Sequence, residues 1–203
     1  MVKQKFFPDL HEKTAHSDDK NFAQIAQYLK DAQSSHKRVI PPLQDWHPKH
    51  CGKMDLVIKA NGEWWHEGQK IQRQSLIELF SRVLWTEQNK FYLKTPVEQI
   101  EIEVEDAPLL IDRVDQIQMD GKVYLQFMTP QQDIVVLDEA HPIFFKEYQG
   151  ETRPYLHVRF GLNALIQRAC FYHLVEYGEL FENAQGETEL HLQSGDYRLH
   201  FSA

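Results

Sequence analysis

The sequence predicts an α+β fold in which a strand-helix-strand pattern is used twice, and three observations predict it. Alternating apolar and polar residues, the mark of half-buried strands, recur from Asp55 to Phe201. Within that region only two stretches, around Leu76 and around Leu165, repeat apolar residues at helical spacing. Strand runs interrupted by so few helices point to mostly antiparallel sheets, because a parallel doubly wound sheet places a helix after nearly every strand.

An N-terminal segment, 1–50, comes first. Over Asp18 to Gln33, the residues Phe22, Ile25, Ala26 and Leu29 fall on one helical stripe, with Ser17 and Asp18 available as caps. From Ser34 to Cys51 the texture changes. Pro41, Pro42 and Pro48 remove N–H donors and fix φ, so this stretch reads as an extended connector pinned by Trp46.

The first α+β unit is read as 51–106. Asp55 to Lys59 alternates toward Asn61-Gly62, and Glu63 to Glu67 returns, a hairpin signal of the type I′ kind in which both central residues need φ > 0. After Gly68, the residues Leu76, Ile77, Phe80, Val83 and Leu84 predict a helix from Gln72 onward, packed by one stripe on a sheet. Strands follow at Phe91 to Thr95 and Val97 to Val104.

The second unit, 107–203, repeats the order. Leu109 to Met119 and Lys122 to Met128 form strands about the turn Asp120-Gly121; Ile134 to Leu137, Ile143 to Tyr148 and Pro154 to Phe160 are further strands. A second long helix is predicted through Leu162, Leu165, Ile166, Ala169, Cys170, His173 and Leu174, and a closing hairpin turns at Ser194-Gly195. The two helices and the strands after them share pattern and order with little residue identity, as an old duplication would leave them.

Composition sets the outer limits. Of 203 residues, 42% are hydrophobic and 26% charged, so the chain can build a core without staples. With 22 Lys plus Arg against 30 Asp plus Glu, the net charge of −8 lacks the basic stripe that holds polymeric nucleic acid by its phosphates. No window approaches the roughly 20 apolar residues of a membrane span, and nothing in Met1 to Leu10 resembles a signal peptide, so no membrane partner and a cytoplasmic location are expected. Cys51 and Cys170 are too few and too far apart for a disulfide framework and read as reduced.

One ordered series of residues carries a resemblance. Cys51-Gly52, Asn61-Gly62-Glu63-Trp64-Trp65-His66-Glu67-Gly68 with Ile71 and Arg73, Leu93-Lys94-Thr95-Pro96-Val97-Glu98 and Val104-Glu105-Asp106-Ala107-Pro108 are similar to the pattern of the bacterial domain-of-unknown-function family 1285. Pro154-Tyr155-Leu156-His157-Val158-Arg159, Arg168, Phe171-Tyr172-His173-Leu174-Val175 and Ser194-Gly195 continue it. The chain departs from that pattern at Lys70, where a proline is usual, at Leu109, where an aromatic often stands, and at His200, where a glycine tends to close the chain. The resemblance implies a duplicated α+β core with a C-terminal part like a pleckstrin-homology barrel. It also implies a groove between the two units for a ligand, nucleotide-like in kind, in a signal-transduction setting.

Catalytic chemistry finds little support. No Gly-x-Ser-x-Gly elbow, no Gly-x-x-x-x-Gly-Lys-Ser/Thr loop and no Gly-x-Gly-x-x-Gly loop is present. His47, His50, Cys51 and His66 lack zinc-motif spacing, so no metal and no cofactor are assigned. Glu101, Glu103 and Glu105 share one strand face and read as solvated, Asp106 before Pro108 as a turn cap, and Cys170 as a small core residue.

Anion binding has better candidates. Arg73 opens the first predicted helix, where its charge opposes the positive end of the macrodipole. Free helix-start N–H groups and a guanidinium together suit a phosphate or carboxylate. Arg153, Arg159 and Arg168 flank the second helix, and Trp64 and His66 lie on the first hairpin, where adjacent Trp64 and Trp65 must face opposite sides. The expectation is therefore a ligand-binding or sensory protein that takes a small anionic or nucleotide-like molecule at Trp64, His66, Arg73, Arg153, Arg159 and Arg168. The alternatives are a hydrolase or transferase using a histidine and a carboxylate in the same groove, and a protein-interaction scaffold.

Overall fold

A computed structural model describes residues 40–202. The predicted helix over 18–33 and the first part of the connector lie outside the described residues. From residue 40 the connector is extended, except for a 3-10 turn at Leu43–Asp45 that sinks Leu43 completely. Among the described residues no helix is long and apolar enough to cross a membrane.

The described chain forms two compact units, one of residues 40–57 and 64–103, the other of 58–63 and 104–202. The first carries β1 (His50–Ile58), β2 (Trp64–His66), β3 (Gln69–Lys70), α1 (Gln74–Ser81), β4 (Leu84–Glu87), β5 (Lys90–Lys94) and β6 (Glu98–Val104), the last residues of β1 and β6 being counted with the second. The strands lie in one sheet, ordered β3-β2-β1-β6-β5-β4. Alternation places Met54 and Leu56 of β1, Trp64 of β2, Leu93 of β5 and Ile100 and Ile102 of β6 in the core. Leu79 and Phe80 of α1 are buried too, and the Phe80 ring lies 6.2 Å from that of Trp64. A fully buried Phe of this kind contributes about 1.5–3 kcal/mol relative to exposure.

The first helix is shorter than its sequence pattern. Val83 and Leu84 continue the apolar stripe, but α1 stops at Ser81, and Leu84 pairs with Leu93 while the Val83 carbonyl accepts from Lys94 N–H at 2.9 Å. Strand pairing with β5 and complete burial outweigh one more helical turn there.

The second unit carries β7 (Leu109–Ile111), β8 (Arg113–Met119), β9 (Lys122–Met128), β10 (Ile134–Val136), β11 (Ile143–Tyr148), β12 (Glu151–Arg159), β13 (Leu162–Ile166), α2 (Arg168–Glu176), β14 (Glu179–Glu182), β15 (Thr188–Ser194) and β16 (Tyr197–Ser202). They form three sheets, β10-β9-β8, β11-β12-β13-β7 and β14-β15-β16. Every pairing in them is antiparallel except β13 with β7, which is parallel. Ser194 ties two sheets together: its buried hydroxyl donates to the Leu137 carbonyl at 2.7 Å and accepts from Leu125 N–H at 3.1 Å.

Three expectations change here. The strand predicted over Leu109 to Met119 breaks at Asp112, so that β7 and β8 serve different sheets. The long second helix is in fact β13 followed by α2, because Leu162, Ala164 and Ile166 are buried at period 2 and pair with β12 and β7. Each sheet of the second unit keeps two edges, so the pleckstrin-homology-like barrel is not formed among the described residues. The coarser expectation stands: a mostly β, α+β protein with largely antiparallel sheets and two described helices. Three strands, a helix and three strands occur around each helix, yet the first set makes one sheet and the second is divided between two.

Candidate functional site

In the second unit β13 runs into α2 with only Gln167 between them. The parallel pairing with β7 extends one step past the strand, because Gln167 N–H donates to the Ile111 carbonyl at 3.0 Å, and this settles where α2 starts. No side chain caps that start and no acidic residue occupies its first turn; Arg168 is the first helical residue.

An open cleft of about 740 Å³ lies at this helix start. Asn61, Thr152, Arg153 and Arg168 give it a polar side, and Leu110, Phe145, Pro154, Phe171 and Tyr172 an apolar one. Asn61 is held by the tip of the β1–β2 hairpin. Lys59 N–H donates to the Glu63 carbonyl and Gly62 N–H to the Lys59 carbonyl, both at 2.8 Å, while Asn61 Oδ1 accepts from Glu63 N–H at 3.1 Å. Gly62 has φ +83° and Asn61 does not have positive φ, so the turn is a three-residue loop with a bulge, not the expected type I′ turn. A Cβ on Gly62 would collide with the Leu110 side chain, so glycine is required both by φ and by this close approach. Glu105 secures the same tip, accepting from Lys59 Nζ at 2.8 Å and from Ala60 N–H at 2.9 Å.

Arg153 is anchored from two sides. It donates to Glu151 at 2.9 and 3.2 Å and to Asp106 at 3.2 Å, with its guanidinium 4.6 Å from the centre of the Tyr148 ring. The Asp106 side chain is wholly buried and also accepts from the Tyr155 hydroxyl at 2.6 Å. Asp106 is thus the acceptor for two side chains, which corrects its reading as a turn cap. Burial first, and then the bond to Asp106, push the Tyr155 phenol well above its ordinary range. Hydrogen bonds to Glu151 and then Asp106 raise Arg153 further, against the opposing effect of burial.

Arg168 differs. It is exposed and, among the described residues, has neither a hydrogen bond nor an ion pair. Two arginines against Glu151 and Asp106 leave the cleft close to neutral, so the charge available to a ligand is that of Arg168 plus the uncapped helix start. Such a site suits one anionic group attached to an apolar body.

The other residues predicted to bind are placed as follows. Trp64 is 2% exposed against Phe80 and is a core residue, with no face left for stacking a ligand. His66 Nδ1 lies 2.9 Å from the Asp55 carbonyl. Arg73 is the exposed N-cap of α1, its carbonyl accepting from Leu76 and Ile77. These three belong to the first unit. Arg159, in the second, forms a nearly buried pair with Asp133 at 3.3 Å and is not among the residues lining the cleft. Arg153 and Arg168 are the two that line one cleft together.

Sequence reading missed Asn61, Phe145, Phe171 and Tyr172. Only one of them left a usable signal: Tyr172 stands four residues after Arg168, on the same helical face, and is 62% exposed. Among the described residues no group of three His, Cys, Asp or Glu could share a metal ion, His47, His50, Cys51 and His66 included. Of the Glu101, Glu103 and Glu105 row, Glu101 pairs with Lys90 at 2.7 Å and Glu105 with Lys59.

Residues 41–107 match the family described as "Domain of unknown function (DUF1285), N-terminal domain", and residues 108–201 the one described as "Protein of unknown function (DUF1285), C-terminal domain". A 2.50 Å crystal structure of a DUF1285 family protein from Silicibacter pomeroyi DSS-3 is 35% identical, with 84% of this chain and 91% of that chain covered and a TM-score of 0.71. A 1.40 Å crystal structure of a DUF1285 family protein from Shewanella baltica OS155 is 29% identical over 60% of this chain and 90% of that one, with a TM-score of 0.47. No curated protein matches the chain. With both halves matched in order and a relative similar over most of the length, the chain belongs to the DUF1285 family.

Proposed function

We propose that this protein is a ligand-binding, sensory protein whose second unit takes a small molecule with a single anionic group and a planar apolar body in the cleft at the start of α2. The observation that carries the reading is Arg168: an exposed cation with no partner among the described residues, at an uncapped helix start and beside an aromatic wall. Phe171 and Tyr172 offer flat faces for a ring, while the anchored Arg153 supplies a second, pre-oriented donor. A polyphosphate gains little over a monophosphate, because Glu151 and Asp106 together match the charge of the two arginines and leave no surplus positive charge for further phosphates. The enzymatic alternative lacks its parts in this cleft, since no histidine is among the described residues that line it. A role in signal transduction, and descent of the two helix-centred patterns from one duplicated ancestor, belong to the same proposal.

Thermal unfolding of the full chain with adenosine monophosphate, adenosine triphosphate and inorganic phosphate tests it. Adenosine monophosphate is expected to raise Tm by native-state binding, more than phosphate does and at least as much as the triphosphate. Arg168→Ala weakens that binding by about tenfold, and Arg168→Lys restores part of it. If none of the three shifts Tm, or if Arg168→Ala responds as the wild type does, the proposal falls.

A further inference from the structure

We propose that the edge of β14, open among the described residues, receives an extended, basic segment of another protein as an added strand. β14 is the outer strand of the sheet β14-β15-β16, and all four of its residues are exposed. Its two central residues are large and apolar: Leu180 is 65% and Phe181 48% exposed. They point to opposite faces. Leu180 lies in register with the buried Leu190, so the core face of the sheet runs off its edge with no cover among the described residues; Phe181 reaches the other face, its ring 4.6 Å from that of His191. An added strand would cover both while pairing the outward backbone groups, which a protein otherwise has to protect at a sheet edge.

The occupant is argued from charge. Glu179 and Glu182 bracket the apolar pair, and among the described residues neither has an ion pair. From residue 169 to 197 the sequence contains no Lys or Arg, while Glu176, Glu179, Glu182, Glu187 and Glu189 fall within it. A second copy of this chain is a poor occupant. Antiparallel pairing of β14 with itself sets Glu179 opposite Glu182 whenever Leu180 meets Phe181, and like charges directly opposed are destabilising. A segment with a basic residue, two apolar residues and a second basic residue satisfies both glutamates and both side chains in one register.

Fluorescence polarisation of the full chain with a labelled peptide, Gly-Thr-Lys-Val-Val-Lys-Thr-Gly, provides the test. The peptide is expected to bind, and an analogue with glutamates for the lysines, or with both valine nitrogens methylated, is expected to bind about tenfold more weakly or worse. The double variant Glu179→Lys/Glu182→Lys, changed only at exposed positions, should exchange the preference and bind the glutamate peptide. Equal binding of the methylated analogue would show that the backbone is not paired, and indifference to the charge reversal would remove the basic partner. No binding of the basic peptide up to millimolar concentration also overturns the proposal. So does a dimer in sedimentation that the double variant strengthens or abolishes, since that makes a second copy the occupant.

Discussion

The Tyr155 hydroxyl donates a 2.6 Å hydrogen bond to a carboxylate of Asp106 that has no solvent exposure at all. This pair, 49 residues apart in sequence, holds the segment before β7 against β12 and, through the second oxygen of Asp106, orients Arg153 at the cleft. Removing the donor leaves a buried carboxylate with one bond fewer, so Tyr155→Phe should cost about 1–3 kcal/mol in urea unfolding at neutral pH.

The same pair makes a prediction in alkali. The phenol is raised above its unfolded value, so its contribution is fully present below the unfolded pKa of about 10 and is lost as pH rises beyond it toward the folded value. Between about pH 9 and 12 the wild type should lose stability more steeply than Tyr155→Phe. Parallel curves for the two proteins would mean that the phenol is not held by burial and Asp106.

At the hairpin tip, Gly62→Ala meets a double obstacle, a φ of +83° and a collision with Leu110. A loss of about 1–3 kcal/mol is expected. Adding Leu110→Ala removes the collision but not the backbone strain, so the two changes together should cost less than their sum. Strict additivity in a double-mutant cycle would argue that the two sites are independent.

The two cysteines should differ in reactivity. Cys170, 2% exposed on α2, has its thiol pushed up to about 12 by burial first and the nearby Asp112 and Asp115 carboxylates second, whereas Cys51 is exposed. Titration with a thiol reagent at pH 8 should therefore modify one equivalent in the native chain and two in guanidinium. Two fast equivalents under native conditions would refute the assignment of Cys170 to the core.

Sequence alone determined the element types wherever one local signal acted alone. Period-2 alternation over β15 and β16, the Asp120-Gly121 turn and the helical stripe at Leu76 to Phe80 needed no partner to be recognised. It also marked Arg153 and Arg168, the two arginines that share the cleft. Tertiary structure decided the rest. Val83-Leu84 and Leu162 to Ile166 satisfy helix and strand patterns equally, and pairing with Leu93 and with β7 resolved them as strand or strand entry. The division of Leu109 to Met119 between two sheets, the burial of Trp64 and the partners of Asp106 depend on residues distant in sequence, which no local pattern encodes. Arg153 and Arg168 could be named from the sequence as cations beside a helix. That one is held by two carboxylates and the other has no ion pair among the described residues was settled by which carboxylates the fold brought within reach.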